Sequence, residues 1–240
     1  MITAGCREES ERDGISMEKL AIQEKEVTLY PSGKENAPLI ILDAFTEEGA
    51  EVYEKMPEVC CPDCNLAVIG NLKWNHDMPP WNAPALSPDD APFTGGADDY
   101  IALLTGEILP EVKKRIKGTP AFTGITGYSL AGLFAVYAMY KTDAFDRAAS
   151  ISGSLWFPDF KEYCTSNPMK KTPEKIYLSL GDREAKTRNP LLRTVQENTE
   201  SLAEYFKCLG IDVVYELNPG NHFKNAALRT AKGIRAILKD

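Results

Sequence analysis

The sequence predicts an α/β protein with one mostly parallel central sheet and helices on both faces. Three observations lead there. Short apolar runs such as "LIIL" (39–42) read as strands buried on both faces. Stretches with helical spacing separate most of these runs, and strands alternating with helices build a parallel sheet that is covered on both sides. The chain has 240 residues with no internal repeat, low-complexity tract or linker, a length that one α/β domain fills.

Residues 1–18 form a polar lead-in, and residues 19–240 are expected to form a single domain. "KEVTLYPS" (25–32) alternates apolar with polar and predicts a strand; "SGKEN" is turn-rich; "APLIILDAF" (37–45) predicts a buried strand. "TEEGAEVYEKM" (46–56) carries a helix signature, with Thr46 as the candidate N-cap and acids in the first turn. "NLAVIGN" (65–71) is the next strand. Residues 72–97 hold five prolines and two tryptophans without periodicity. A loop of that length is functional or disordered, and the tryptophans favour function. A helical pattern runs over 98–116, with a kink expected at Pro110. "AFTGITGYS" (121–129) is a strand that ends at a serine, and "LAGLFAVYAMYK" (130–141) is a helix leaving it. "RAASIS" (147–152) and "KIYLSLG" (175–181) are strands. Residues 189–210 read as a helix with Pro190 near its start and Gly210 past its end. "DVVYEL" (212–217) is the last strand and residues 223–239 the last helix.

Composition narrows the partners. Apolar residues make up 43% and charged residues 26%, the balance of a globular chain. A net charge of −8 argues against nucleic acid as the main partner, because polyanions are bound through clustered Lys and Arg. No apolar run can span a bilayer, and the opening "MITAGCREESERDG" lacks a signal peptide's apolar core. The expectation is a cytoplasmic protein with a small-molecule partner, no membrane contact, and neither metal nor cofactor. Cys61 and Cys64 have the C-x-x-C form, but they precede a strand rather than opening a helix, and no second Cys or His pair lies nearby. They read as reduced cysteines in a turn.

Ligands bind beyond the carboxyl ends of such parallel strands. Ser129, Gly181 and His222 all fall just past predicted strands. Gly127-Tyr128-Ser129-Leu130-Ala131 fits G-x-S-x-[GA], with Gly132 next. A serine on a tight strand-to-helix turn needs small residues two places either side, because larger ones would meet the strand or helix. Its hydroxyl then projects at a helix N-terminus, where negative charge is favoured.

A serine hydroxyl attacks poorly unless a base takes its proton. The chain has two histidines, and His222, in "NPGNHF", follows the serine as the chain order Ser, acid, His requires. His76 precedes it in the long loop and reads as surface or substrate contact. The acid should follow "KIYLSLG", where Glu184 is favoured and Asp182 is the alternative. The oxyanion donors expected are the backbone N–H of Leu130 and one amide near Ala44 and Phe45. Arg183, Lys186 and Arg188 form a basic cluster that is either a solvated face or an attractor of anionic substrate.

With "GYSLAG", "LSLGDREAKTRNP", "PGNHF", "WNHDMPPWNAPAL" and "GGADDYIALLTGEILPEV" on the page, the chain resembles α/β-hydrolases of the esterase D type. That group includes enterochelin (siderophore trilactone) esterases and feruloyl esterases. The resemblance runs from about Lys25 to the end. It implies an α/β-hydrolase fold without a separate cap domain, Ser129 as nucleophile, His222 as base, and the carboxylate in "GDRE" as the third member. It also implies Trp81 and Trp156 near the substrate, and Tyr128, next to the serine, is a further candidate for substrate contact. The chain departs from the pattern in placing Ala131 before Gly132. Ester hydrolysis through an acyl-enzyme is the expected activity. Acyl transfer or thioester cleavage by the same intermediate, and an inactive binding module on the same scaffold, are the alternatives.

Overall fold

The structure, a computed structural model, describes residues 17–45 and 47–239. Among these residues eight strands form one sheet: β1 (Glu18–Ile22), β2 (Lys25–Tyr30), β3 (Leu39–Asp43), β4 (Asn65–Gly70), and, after a separate pair β5 (Asn82–Ala83) and β6 (Phe93–Thr94), β7 (Thr123–Tyr128), β8 (Arg147–Ile151), β9 (Lys175–Gly181) and β10 (Asp212–Asn218). The spatial order is β1-β2-β4-β3-β7-β8-β9-β10. β1 and β2 pair antiparallel, as do β2 and β4; every pairing from β4 across to β10 is parallel. The predicted fold class is the observed one. β1 was not expected, and Glu18, assigned to the lead-in, opens it; residues 1–16 lie outside the described residues.

Alternation along each strand sorts its side chains between two cores. Leu39, Ile41, Ala67, Ile69, Leu178 and Leu180 face one side, where they meet α3 (Ala97–Leu103), α5 (Leu130–Lys141), α6 (Phe160–Ser166) and α7 (Val195–Cys208). Ile40, Leu42, Leu66, Val68, Ile151 and Tyr177 face the other, beneath α1 (Glu48–Lys55) and α8 (Ala226–Leu238). Both faces are apolar, which is why these strands read as continuous runs. Every residue of α5 from Leu130 to Tyr140 is buried, so this helix is apolar all round and locked to β7 and β8. Thr46, the expected N-cap of α1, lies outside the described residues, and Glu47 occupies the cap position without a side-chain bond.

Two helices depart from expectation for local reasons. The stretch around Pro110 is not a kinked α-helix: a π-type turn, Leu104–Ile108, joins α3 to α4 (Leu109–Lys113). The wider turn accommodates a proline that has no N–H to donate and whose ring would crowd the preceding turn. The helix expected from 189 starts at Val195, after a 3₁₀ turn at Leu192–Thr194, because Asn189 accepts from Leu191 N–H and holds a turn there. α6 was not expected at all. Residues 72–97 are not one structureless loop; they fold as α2 (Trp74–Asp77) and the β5–β6 pair, elements too short to leave a period.

A buried ion pair anchors that segment: Lys25 of β2 bonds Asp77, whose carboxylate also accepts the Lys73 N–H at 2.8 Å. Their side chains are 6% and 8% exposed, so neither charge has water as a substitute partner. Lys25→Met should cost about 3–5 kcal/mol in urea denaturation, and adding Asp77→Leu should recover part of that loss.

Candidate active site

Ser129 sits between β7 and α5 with φ 58° and ψ −120°, a conformation that costs a non-glycine residue about 1–3 kcal/mol. Three backbone bonds hold it: Ser129 N–H to Ile151 O (3.0 Å), Ser154 N–H to Ser129 O (2.9 Å) and Leu133 N–H to Ser129 O (3.1 Å). Close packing explains the small neighbours. A Cβ on Gly127 would lie 2.4 Å from Ala131 Cβ, and one on Gly132 would lie 2.9 Å from Gly153 Cα. The Ala131-Gly132 order is therefore a fit: Ala131 faces Gly127, and Gly132 lets the loop after β8 approach the helix.

The strand register brings the other groups level with the serine. Gly127 pairs with Ser150, Ile151 with Ser179, and Gly181 with Asn218, so the carboxyl ends of β7 to β10 finish together. His222 Nε2 lies 3.1 Å from Ser129 Oγ, and its Nδ1 lies 2.7 Å from Glu184 Oε2. The other carboxylate oxygen, Oε1, accepts from Gly181 N–H (2.5 Å), Ser152 Oγ (2.7 Å) and Arg229 (3.0 Å). Burial raises the Glu184 pKa, but the bonds from His222, Ser152 and Gly181 outweigh it and hold the carboxyl at about 2. Asp182 is turned away and accepts the Gly220 N–H at 2.8 Å, which pins the His222 loop. Of the two candidate acids, Glu184 is the one in contact with the imidazole.

The sequence profile of the family described as "Putative esterase" matches residues 68–226. The chain belongs to this esterase family. It is similar to the uncharacterized protein YbbA of Bacillus subtilis strain 168, 26% identical over 165 residues, a match covering 67% of this chain and 63% of that protein. Solved structures with the same fold include an IroE-like serine hydrolase from Shewanella oneidensis, with TM-score 0.74, 16% identity, and 92% of this chain and 79% of that one covered. The siderophore hydrolase EstA from Aspergillus nidulans has TM-score 0.69 and 17% identity, with 93% of each chain covered. The BES protein from Bacillus cereus has TM-score 0.67 and 17% identity, with 94% of this chain and 96% of that one covered. At these identities the likeness is one of fold.

Within this esterase-family framework, several expected site residues take other positions. Ala44 is not free to donate to an oxyanion, because its N–H extends the β3–β4 ladder to Ile69 O at 3.1 Å. The Leu130 N–H, first in α5, has no helical acceptor, and among the described residues the Phe45 N–H has no acceptor either. Trp81 is packed among Tyr137, Phe157, Phe160 and Tyr163, and its indole N–H donates to Pro158 O at 3.1 Å. Trp156 is buried against Phe93 and Phe157. Both tryptophans brace the 72–97 segment against the loop after β8 rather than line the site. Tyr128 donates its hydroxyl to the His222 carbonyl and so holds the backbone of that loop. His76 bonds Thr94 at 2.8 Å and belongs to the loop framework.

The aromatic surfaces that remain open are Phe45, 49% exposed and stacked on Trp74, and Phe223, 84% exposed with its ring edge-on to His222 at 5.2 Å. Arg183, Lys186 and Arg188 are exposed. Cys61 has its thiol pushed up to about 12 by burial, the opposite of a redox thiolate. Among the described residues no three His, Cys, Asp or Glu side chains gather as metal ligands, and no helix is long and apolar enough to cross a membrane.

Sequence reasoning missed Ser152, Ser154 and Arg229. The two serines sit at the carboxyl end of a predicted strand, where the position alone could have flagged them; Ser154 Oγ lies 3.4 Å from Ser129 Oγ. Arg229 shares a helical face with Gly233 and Ile237, and a cation on a buried stripe was the available signal.

Asp43 is the last residue of β3, two positions before Phe45. Its carboxyl is pushed up to about 7 by burial, against the opposing pull of the Tyr100 hydroxyl bond, and among the described residues Oδ2 has no partner. The folded state therefore keeps a proton that the unfolded chain loses near pH 4, and stability falls as pH rises through this interval. Asp43→Asn should match the wild type near pH 4 and exceed it by about 2–4 kcal/mol at pH 8 in urea titrations. A pH-independent difference would contradict this account. Gly127→Val should lower the melting temperature, losing about 1–3 kcal/mol or more from the contact with Ala131.

Proposed function

We propose that this chain hydrolyses carboxylic esters through an acyl-enzyme on Ser129. The observation that carries the reading is the continuous contact from Ser129 Oγ to His222 Nε2 (3.1 Å) and from His222 Nδ1 to Glu184 Oε2 (2.7 Å). Ser129 Oγ attacks the ester carbonyl as His222 takes its proton, and Glu184 keeps its charge and stabilises the imidazolium. The tetrahedral oxyanion is met by the Leu130 and Phe45 N–H groups at the N-terminus of α5 and the end of β3. His222 then protonates the departing alcohol. A water, deprotonated by His222, attacks the acyl group and returns Ser129 with release of the acid.

Supporting features are the strained backbone at Ser129, which a binding module would have no use for, and the ionised state of Glu184 down to about pH 2. Phe45 and Phe223 offer apolar contact to the acyl or alcohol part of a small-molecule ester. The YbbA match spans under two thirds of that protein, so the reading rests on this chain's own groups.

A fluorophosphonate probe should label the wild type and not Ser129→Ala. Turnover of p-nitrophenyl butyrate should fall about 10⁴-fold or more in Ser129→Ala and His222→Ala, and about 10²- to 10⁴-fold in Glu184→Gln. Labelling that survives Ser129→Ala would overturn the assignment. Exclusive transfer to an added alcohol or thiol, with no free acid formed, would make the chain an acyltransferase.

A further inference from the structure

One buried cation touches two of the partners of His222, Glu184 and Tyr128. Arg229 of α8 is 2% exposed, yet no water-filled surface or substrate is needed to explain its contacts. One terminal nitrogen, NH2, donates to Glu184 Oε1 at 3.0 Å and to Ser152 Oγ. The other, NH1, donates to Tyr128 Oη at 3.1 Å and to Asn221 O at 3.4 Å. Tyr128 in turn donates to His222 O. The planar fork thus spans from the carboxylate that orients the imidazole to the tyrosine and carbonyl that hold the imidazole's own backbone.

Stability alone accounts poorly for such a residue. An apolar side chain of similar volume often packs as well as a buried ion pair or better, and among the described residues Arg229 Nε is left without an acceptor, which costs rather than adds. The charge has a specific place. Glu184 presents one oxygen to His222 and the other to the guanidinium, so the carboxylate and Arg229 together are close to neutral. A bare buried carboxylate would favour the imidazolium, which cannot accept the serine proton.

We propose that Arg229 is a positioning residue that fixes Glu184 and the His222 loop in one geometry and, by its charge, offsets the carboxylate against which the imidazole sits. This rests on the Ser129–His222–Glu184 reading above. The groups facing the imidazole are Glu184 from the loop after β9, Tyr128 from β7 and Phe223 from its own loop. Arg229 from α8 stands behind the first two. Tyr215 of β10 lies near Glu184 and Glu48 of α1 near Tyr128, while Asp182, Arg183 and Lys224 line a pocket beside the His222 loop. Arg229 is the cation among them that contacts Glu184.

The test is the rate of Ser129 phosphonylation by a fluorophosphonate between pH 5 and 9, on variants whose circular dichroism matches the wild type. Arg229→Met should move the acid limb upward by about one pH unit and lower the plateau by about ten- to a hundredfold. Arg229→Lys retains the charge but cannot reach both sides; its limb should stay in place while its plateau falls. Tyr128→Phe should behave like Arg229→Lys, for the same reason. An acid limb unmoved in Arg229→Met, or moved equally in Arg229→Lys, overturns the proposal. If Arg229→Met does not fold, the lysine variant decides: a lowered plateau with an unmoved limb supports the inference, and a wild-type profile overturns it. A wild type that the probe does not label overturns the serine-hydrolase reading, and this inference with it; a labelled wild type with unmoved limb and plateau in every variant overturns this inference alone.

Discussion

Ser129 holds a backbone conformation that L-residues avoid, and the rest of the site follows from the packing that keeps it there. The turn is so tight that Gly127 and Ala131 stand against each other and Gly132 touches the loop after β8. That loop, Ser152-Gly153-Ser154, is built of small residues and bonds directly to the serine's carbonyl. The strain therefore shapes two neighbouring elements. α5 can hold the turn because it is buried along its whole length, so its N-terminus cannot relax without displacing the core.

The low profile of the β8 loop also answers a distance problem. β7 and β10 are three places apart in the sheet, roughly 15 Å at the usual strand spacing, yet His222 reaches Ser129. The loops after β9 and β10 reach across β8: Glu184 accepts from Ser152, and His222 meets Ser129. Asp182 ties the β9 turn to Gly220, Tyr128 ties β7 to the His222 carbonyl, and Arg229 ties Tyr128 to Glu184. Three strand ends, those of β7, β9 and β10, are thus joined by these side chains. Rigid support of this kind is what proton transfer over a fixed distance requires.

The legibility of the chain followed the strength of its local signals. β7 and α5 were readable because a β-branched run, a small-residue turn and an apolar helix follow one another without a break. His222 was readable because the chain has two histidines and only one follows the serine. The tryptophans misled for a physical reason: a large aromatic side chain serves equally as a wall or as filler, and Trp81 and Trp156 serve as filler between two loops. Ala44 misled because a neighbouring strand claims its amide, which depends on a register that no local pattern specifies. α6 and the short elements within 72–97 were missed because two to seven residues carry too little periodicity.

What the sequence determined by itself was the fold class, the strand-to-helix turn at Ser129 and which of the two histidines lies beside that serine, since each depends on residues close together in the chain or on simple scarcity. What the tertiary structure decided was which carboxylate meets His222, which amides stay free, and that a helical arginine more than forty positions from Glu184 lies against it. Those outcomes depend on the level at which four parallel strands end and on where their loops lean. Long-range register and burial set both, and neither leaves a mark on any single segment.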